Sequence, residues 1–266
     1  MPQLYDRIGT GYDATRRADS EIVHRLCHLL NAARGTKVID VACGTGNYTE
    51  QLHRRGLEVT GVDISREMLD VAGQKSGAVT WAQADVAQLP FADGTYGGAT
   101  CVLGVHHFAN LPKAFEQVYR VLSRGRFVIF TSTPEQMRTY WLNEYFPIAM
   151  ATAIGQMPTL GAVCDALRAA GFNHIGAESF LVTPALEDLF LYSGKYAPEI
   201  YLNDAVRRGI STFADLATPG EIISGCDALA RDMESGRIDQ VIEGCSSPCG
   251  DYTFVVAEKG TRVSPP

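Results

Sequence analysis

A doubly wound α/β fold, with a mostly parallel sheet between layers of helix, is the architecture this chain predicts, on three observations. Short apolar or β-branched runs recur at 37–41 (KVIDV), 58–62 (EVTGV), 79–84 (VTWAQA), 98–103 (GATCVL) and 126–131 (RFVIFT), and each reads as a strand. Segments of helical length and pattern, 47–55, 65–74 and 112–122, lie between them and suit crossover connections. A glycine turn, CGTG, follows the first run and leads straight into the first of these helices.

The helix boundaries carry their own signals. Ser65 suits an N-cap, with Glu67 and Asp70 in the early turns, and Pro112 suits a first helical position. Gly35, Gly56 and Gly125 each stand between a helical pattern and a strand, where a helix stop is expected. After Thr133 and Pro134 the rhythm changes to TYWLNEYFPIAMATAIGQMP, rich in Trp, Tyr, Phe and Met, followed by a helix over 160–170. Two further strands at 172–182 and 251–258 bring the sheet to seven. The stretch 183–250 between them is far too long for a hairpin loop and is expected to contribute helices. The organisation expected is one domain over 1–266: a ligand-binding core at 1–133, with 134–170 and 183–250 as cap insertions on the side of a second substrate.

Composition narrows the function classes. A hydrophobic share of 46% with 20% charged residues supports a packed core. Thirty acidic residues against 23 basic ones give a net charge of -7, and no Lys/Arg run makes a phosphate-tracking stripe, so nucleic acid is not the expected partner. No apolar stretch is read as reaching the roughly 20 residues needed to span a bilayer, and MPQLYDRIGTGYDATRR lacks the apolar region of a secretion signal. A cytoplasmic protein without membrane attachment is expected. The seven cysteines form an odd, scattered set; Cys245 and Cys249 have no second close Cys or His pair, and no metal is expected.

The chemistry concentrates at strand ends. VIDVACGTGNYT places Asp40 at the end of the first strand, then Gly44 and Gly46 in a turn where a ligand can approach the backbone closely. The second strand ends at Asp63, 19 residues after Gly44 (63 - 44), where a carboxylate accepts from both hydroxyls of a ribose. Asp85 in ADVAQLPF closes the third strand. Three acidic strand ends thus converge on one nucleoside-shaped crevice.

In the order and spacing of VIDVACGTG, GVDIS, ADVAQLPF and VLGVHHF, from about Tyr5 to Thr131 with a fainter match at 251–258, the chain resembles the class I S-adenosylmethionine-dependent methyltransferases, in their small-molecule branch. The resemblance implies a Rossmann-like sheet of seven strands whose last strand is antiparallel. It also implies S-adenosylmethionine as cofactor, S-adenosylhomocysteine as product, and in-line methyl transfer to a small-molecule acceptor. Carried over by residue, Asp40 and the turn from Gly44 to Gly46 would hold the methionine portion and Asp63 the ribose. Ile64 and Met68 would pack on adenine, Asp85 would accept from its exocyclic amine, and Val86 would offer a backbone amide. Leu103 and Gly104 would lie near the sulfonium, and Tyr12, with Tyr5, would belong to an N-terminal lid. Ala42 departs from the pattern, which usually carries glycine there.

On the acceptor side, His106 and His107 in VLGVHHF are the titratable groups expected nearest the methyl group and are the catalytic candidates. Hydrogen bonding within the loop is the alternative role for both. Tyr140, Trp141, Tyr145, Phe146 and Met150, with Tyr192, Tyr196 and Tyr201, suggest an aromatic acceptor pocket or simply core, and Arg16 and Arg17 a site for a substrate anion or a solvated face. An NAD-dependent oxidoreductase shares the glycine turn and acidic residue. A carboxylate ahead of the glycines, however, suits an ammonium better than a pyrophosphate. Non-methylating use of the sulfonium and an inactive cofactor-binding protein are the other readings.

Overall fold

The computed structural model describes residues 15–245 and 248–260. Seven strands, β1 (Lys37–Val41), β2 (Glu58–Asp63), β3 (Thr80–Gln83), β4 (Gly98–Val102), β5 (Gly125–Thr131), β6 (Asn173–Phe180) and β7 (Tyr252–Lys259), form one sheet in the order β3-β2-β1-β4-β5-β7-β6. Neighbours from β3 to β5 pair in parallel, while β7 runs antiparallel to both β5 and β6. The doubly wound sheet with an antiparallel last strand is therefore as expected. Strand order reverses between β1 and β4, and the crevice above that point is where such sheets bind ligands.

Side-chain alternation divides the core between the two faces of the sheet. Val38, Val128 and Phe130 join one apolar cluster, whereas Ile39, Val41, Phe127 and Ile129 join the other. Helices α2 (Asn47–Arg54), α3 (Arg66–Lys75) and α4 (Leu111–Val121) fall within a residue or so of expectation. Helix α1 (Ser20–Leu30) escaped the sequence reading. Its signals were present, since Asp19 caps the amides of Glu21 and Ile22, and Ile22, Val23, Leu26 and Leu30 make one buried face.

Beyond β5 come α5 (Pro134–Arg138), a 3₁₀ turn at Trp141–Glu144, α6 (Pro147–Gln156) and α7 (Leu160–Ala170). The long connection between β6 and β7 contains α8 (Asp204–Arg208), α9 (Pro219–Ser235) and α10 (Arg237–Glu243). Tyr140, Trp141, Tyr145, Phe146 and Met150 are buried, and they share one apolar cluster with Tyr192, Tyr201, Phe213 and Leu229 that continues into α1 and β5. These aromatics are core, packed on one another, as in the stacked pair Tyr140 and Tyr192 at 3.9 Å between ring centroids. Of this group Tyr196 is exposed. Glu221 of α9 accepts from the amides of Ile148 and Ala149 at 2.8 and 3.0 Å, which satisfies the N-terminus of α6 from another helix.

The expectation that no stretch is apolar and long enough to span a bilayer needs correction. Pro147–Ala170, 24 residues that contain an 18-residue window with a mean hydropathy of 1.2, is long and apolar enough by length and composition. In the fold it is divided at 157–159 into α6 and α7, because Pro158 supplies no amide to continue the first helix.

Candidate cofactor and active site

The site is built at the C-terminal ends of β1, β2 and β4. Asp40, near the end of β1, is 2% exposed, and its two oxygens accept from Thr49 of α2 at 2.6 Å and Thr100 of β4 at 2.7 Å. One carboxylate thus ties the first strand, the helix after the turn and the neighbouring strand together. Burial, opposed by these two hydroxyls and assisted by the charge of Asp63, raises its pKa from 3.8 to about 6. In this arrangement Asp40 sits beneath the crevice, with both oxygens engaged by hydroxyls.

The turn itself is held by Asp63, whose Oδ2 accepts from Gly44 at 2.8 Å and whose Oδ1 accepts from Ser65 at 2.9 Å. Burial raises the Asp63 pKa against the lowering by these amides. Gly44 has φ +55, and among the described residues a Cβ there would meet nothing within 4 Å, so the turn is open on that side. Gly46 has φ +76, and a Cβ there would lie 2.3 Å from the ring of Trp81; one on Gly61 would lie 2.5 Å from the same ring. Trp81 is why these two positions need glycine, a constraint the sequence reading missed. Lys75, also missed, donates to Thr45 O at 2.8 Å and Asn47 Oδ1 at 2.7 Å and so pins the turn from α3.

Two non-glycine residues adopt left-handed backbone at the switch point: Ala42 after β1 (φ 56) and Leu103 after β4 (φ 54). Such residues cost about 1–2 kcal/mol each and persist where surrounding structure fixes them, commonly at ligand sites. The departure at Ala42 therefore keeps the backbone that glycine favours. Its Cβ also fills room opposite Gly104, where a Cβ would fall 2.7 Å from it.

Beside Asp63, Ile64 is 57% exposed, a large apolar side chain left bare at the crevice among the described residues. Gln83 donates to the Ile64 carbonyl at 3.0 Å and fixes that corner. Met68 is buried in the first turn of α3, where its amide is capped by Ser65. Asp85 is exposed and caps the 3₁₀ turn Val86–Gln88 by accepting from Ala87 at 2.8 Å. The open turn, the acidic strand ends and the bare apolar side chain of Ile64 fit an adenosine joined to an amino acid. Tyr5 and Tyr12 lie outside the described residues.

His106 and His107 form the short turn Val105–His107 directly after Leu103 and Gly104, with ring centroids 3.8 Å apart. His106 Nδ1 is buried and makes no hydrogen bond among the described residues, while His107 is the more exposed ring. Burial first, then the neighbouring His107, depresses the His106 pKa well below 6.5. The Cys43 thiol is pushed well above its ordinary pKa by burial and by Asp40 and Asp63, so it remains a protonated, unreactive group. Arg16 meets a carboxylate of its own chain, Asp188, at 2.6 Å. Two concavities lie away from the switch point: one of about 390 Å³ beside α5, α7 and β6, and one of about 920 Å³ at the opposite end of the strands, between Leu30, Gly97, Arg124 and Lys259.

Comparison with known proteins agrees with this geometry. The methyltransferase domain family model matches residues 39–130, from β1 to β5. The solved structure of an Anabaena variabilis protein described as a methyltransferase from an antibiotic biosynthesis pathway is 30% identical, with a TM-score of 0.83 over 91% of this chain and 98% of that one. The malonyl-[acyl-carrier protein] O-methyltransferase of Serratia marcescens is 30% identical over 132 residues, half of this chain and 52% of that one. The demethylmenaquinone methyltransferase of Deinococcus radiodurans is 30% identical over 145 residues, half of this chain and 60% of that one. The chain thus spans between half and two thirds of these curated relatives' lengths. By its fold, its strand-end motifs and these matches, the chain belongs to the class I S-adenosylmethionine-dependent methyltransferases.

Proposed function

We propose that this enzyme transfers a methyl group to an O–H of a small-molecule acceptor, with His106 taking the proton. The observation that carries this reading is the buried, unpartnered Nδ1 of His106 next to Leu103 and Gly104 at the end of β4. When bound, S-adenosylmethionine supplies an electrophilic methyl on its sulfonium. The residues proposed to hold it are Asp63 at the ribose, with Ile64 and Met68 against adenine. Asp85 and Val86 would meet the adenine edge, and Asp40, Ala42, Gly44 and Gly46 would frame the methionine portion. Leu103 and Gly104 would border the methyl group.

A neutral imidazole suits this role. Its depressed pKa keeps it unprotonated at pH 7, so it neither repels a cationic cofactor nor arrives already carrying a proton. It is a weak base, and for an oxygen acceptor a weak base suffices, because a proton on a freshly methylated oxygen is strongly acidic. His107 is proposed to orient that ring. The insertions 134–170 and 183–250 would wall the acceptor side. The name of one relative, malonyl-[acyl-carrier protein] O-methyltransferase, supports an oxygen acceptor.

The test is incubation of the purified enzyme with methyl-labelled S-adenosylmethionine and fractionated metabolite extract. Labelled small products that form with wild type and fall sharply with His106→Ala are expected. Cofactor binding without transfer to any fraction would favour an inactive binding protein, and a product lacking the label would favour other sulfonium chemistry.

A further inference from the structure

One buried carboxylate joins three parts of the chain that are distant in sequence. Asp188, 1% exposed, receives Arg16 Nε at 2.6 Å on Oδ1 and Arg16 Nη2 at 3.2 Å on Oδ2. Its Oδ2 also accepts from the hydroxyl of Tyr48, in the first turn of α2, at 3.0 Å. Backbone seams run beside this knot: Leu189 donates to Thr15 O at 3.2 Å and Glu187 to Asp19 Oδ2 at 2.9 Å. Arg16 Nη1 reaches Gly209 O at 3.4 Å, and a Cβ on Gly209 would fall 2.3 Å from Thr15 Oγ1, so this approach requires glycine.

The same knot continues into the turn described above. Asn47 donates to Arg16 O at 3.0 Å, and Lys75 holds Asn47 and Thr45 together. An unbroken series of polar contacts therefore runs from Thr45, in the glycine turn, through Asn47 and Tyr48 to Asp188 and Gly209 in the late insertion.

We propose that Asp188 is a positioning residue that couples occupancy of the cofactor turn to the order of residues 187–210. Fixing the turn fixes Tyr48 and Asn47, and through them the Arg16–Asp188 pair. A ligand that orders one end thereby lowers the entropic cost of ordering the other. The planar, two-bonded pairing of guanidinium and carboxylate transmits orientation as well as charge. A plain staple between segments would also lower stability when cut, but it would not change how the insertion responds to ligand.

The proposal rests on the cofactor lying at the glycine turn, and the experiment separates the two. Hydrogen exchange of the full chain is measured by mass spectrometry with and without S-adenosylhomocysteine, for wild type, Asp188→Asn and Tyr48→Phe, beside calorimetric affinities. In wild type, ligand slows exchange at 44–50 and also at 187–210. In Asp188→Asn the slowing at 44–50 persists and that at 187–210 is lost, with affinity weaker by about five- to tenfold. Tyr48→Phe, which spares the ion pair, gives a partial loss, and it decides the matter should Asp188→Asn not fold. Slowing confined to 44–50 in wild type, or ligand responses at 187–210 unchanged in the variants, overturns the coupling alone. No binding to wild type overturns the cofactor placement and the coupling with it.

Discussion

Replacing Asp40 by asparagine isolates the electrostatic cost of the crevice floor. The folded carboxyl titrates at about 6 against 3.8 when unfolded, mainly because burial outweighs the hydroxyls of Thr49 and Thr100. Between these values the folded state keeps a proton that the unfolded state has lost, so stability falls as pH rises from about 3.8 and levels off above about 6. At about 1.4 kcal/mol per pH unit the full cost is about 3 kcal/mol, of which roughly 2 kcal/mol accrues between about pH 4.5 and 8. The amide introduced by Asp40→Asn would keep one acceptor for a threonine hydroxyl, turn its NH₂ to the lone pairs of the other, and carry no charge to desolvate. The melting temperature of Asp40→Asn minus that of wild type should therefore grow by roughly 4–8 °C between about pH 4.5 and 8. The assay is calorimetric melting of both proteins across that range, where the titrations of all other groups largely cancel in the difference. A constant offset at every pH would show that Asp40 ionises as in water, and the reading of a dry, sealed floor beneath the turn would be wrong.

Other expectations follow from individual contacts. Asp63→Ala should weaken S-adenosylhomocysteine binding by more than about tenfold in calorimetry, as expected for a charge-assisted contact worth about 1.5–3 kcal/mol, whereas His106→Ala should change it little; equal losses would misplace the ribose. Gly46→Ala drives a Cβ toward Trp81 and fixes an unfavourable φ, so both melting temperature and cofactor affinity should drop, and Gly46→Ala with Trp81→Phe should recover part of each. Glu221→Ala leaves the first amides of α6 without their acceptor and should cost about 1–2 kcal/mol in chemical denaturation. Because His106 is held neutral, the acidic limb of the turnover profile should show no pKa near 6.5 that disappears in His106→Asn. Such a limb would mean that the ring is hydrated in the working enzyme.

The sheet and the cofactor side were legible because their signals are local. A glycine turn, an acidic residue at each strand end and period-2 apolar runs all lie within a few residues of one another, and Asp40, Gly44, Asp63 and Asp85 sit at the strand ends they were read onto. What escaped depends on contacts between distant segments. Nothing near Gly46 or Gly61 announces that Trp81 will lie across both, and nothing near Arg16 announces Asp188, 172 residues away. The aromatic run after Thr133 was ambiguous for the same reason. Whether Trp141 and Phe146 line a pocket or fill a core is decided by Tyr201 and Phe213, which reach them in turn from the other insertion. Helix α1 is a different case, since its cap and its buried stripe were both in plain view.

The central claim is that the nucleoside sits where β1, β2 and β4 end and presents its sulfur to the β4 side. A crystal structure with S-adenosylhomocysteine tests it directly. The account predicts ribose hydroxyls on the Asp63 carboxylate, adenine between Ile64 and Asp85, and the thioether sulfur beside Leu103 and Gly104 with His106 facing it. Density for the nucleoside in the groove of about 920 Å³ at the opposite end of the strands, or a sulfur turned away from β4, would contradict it.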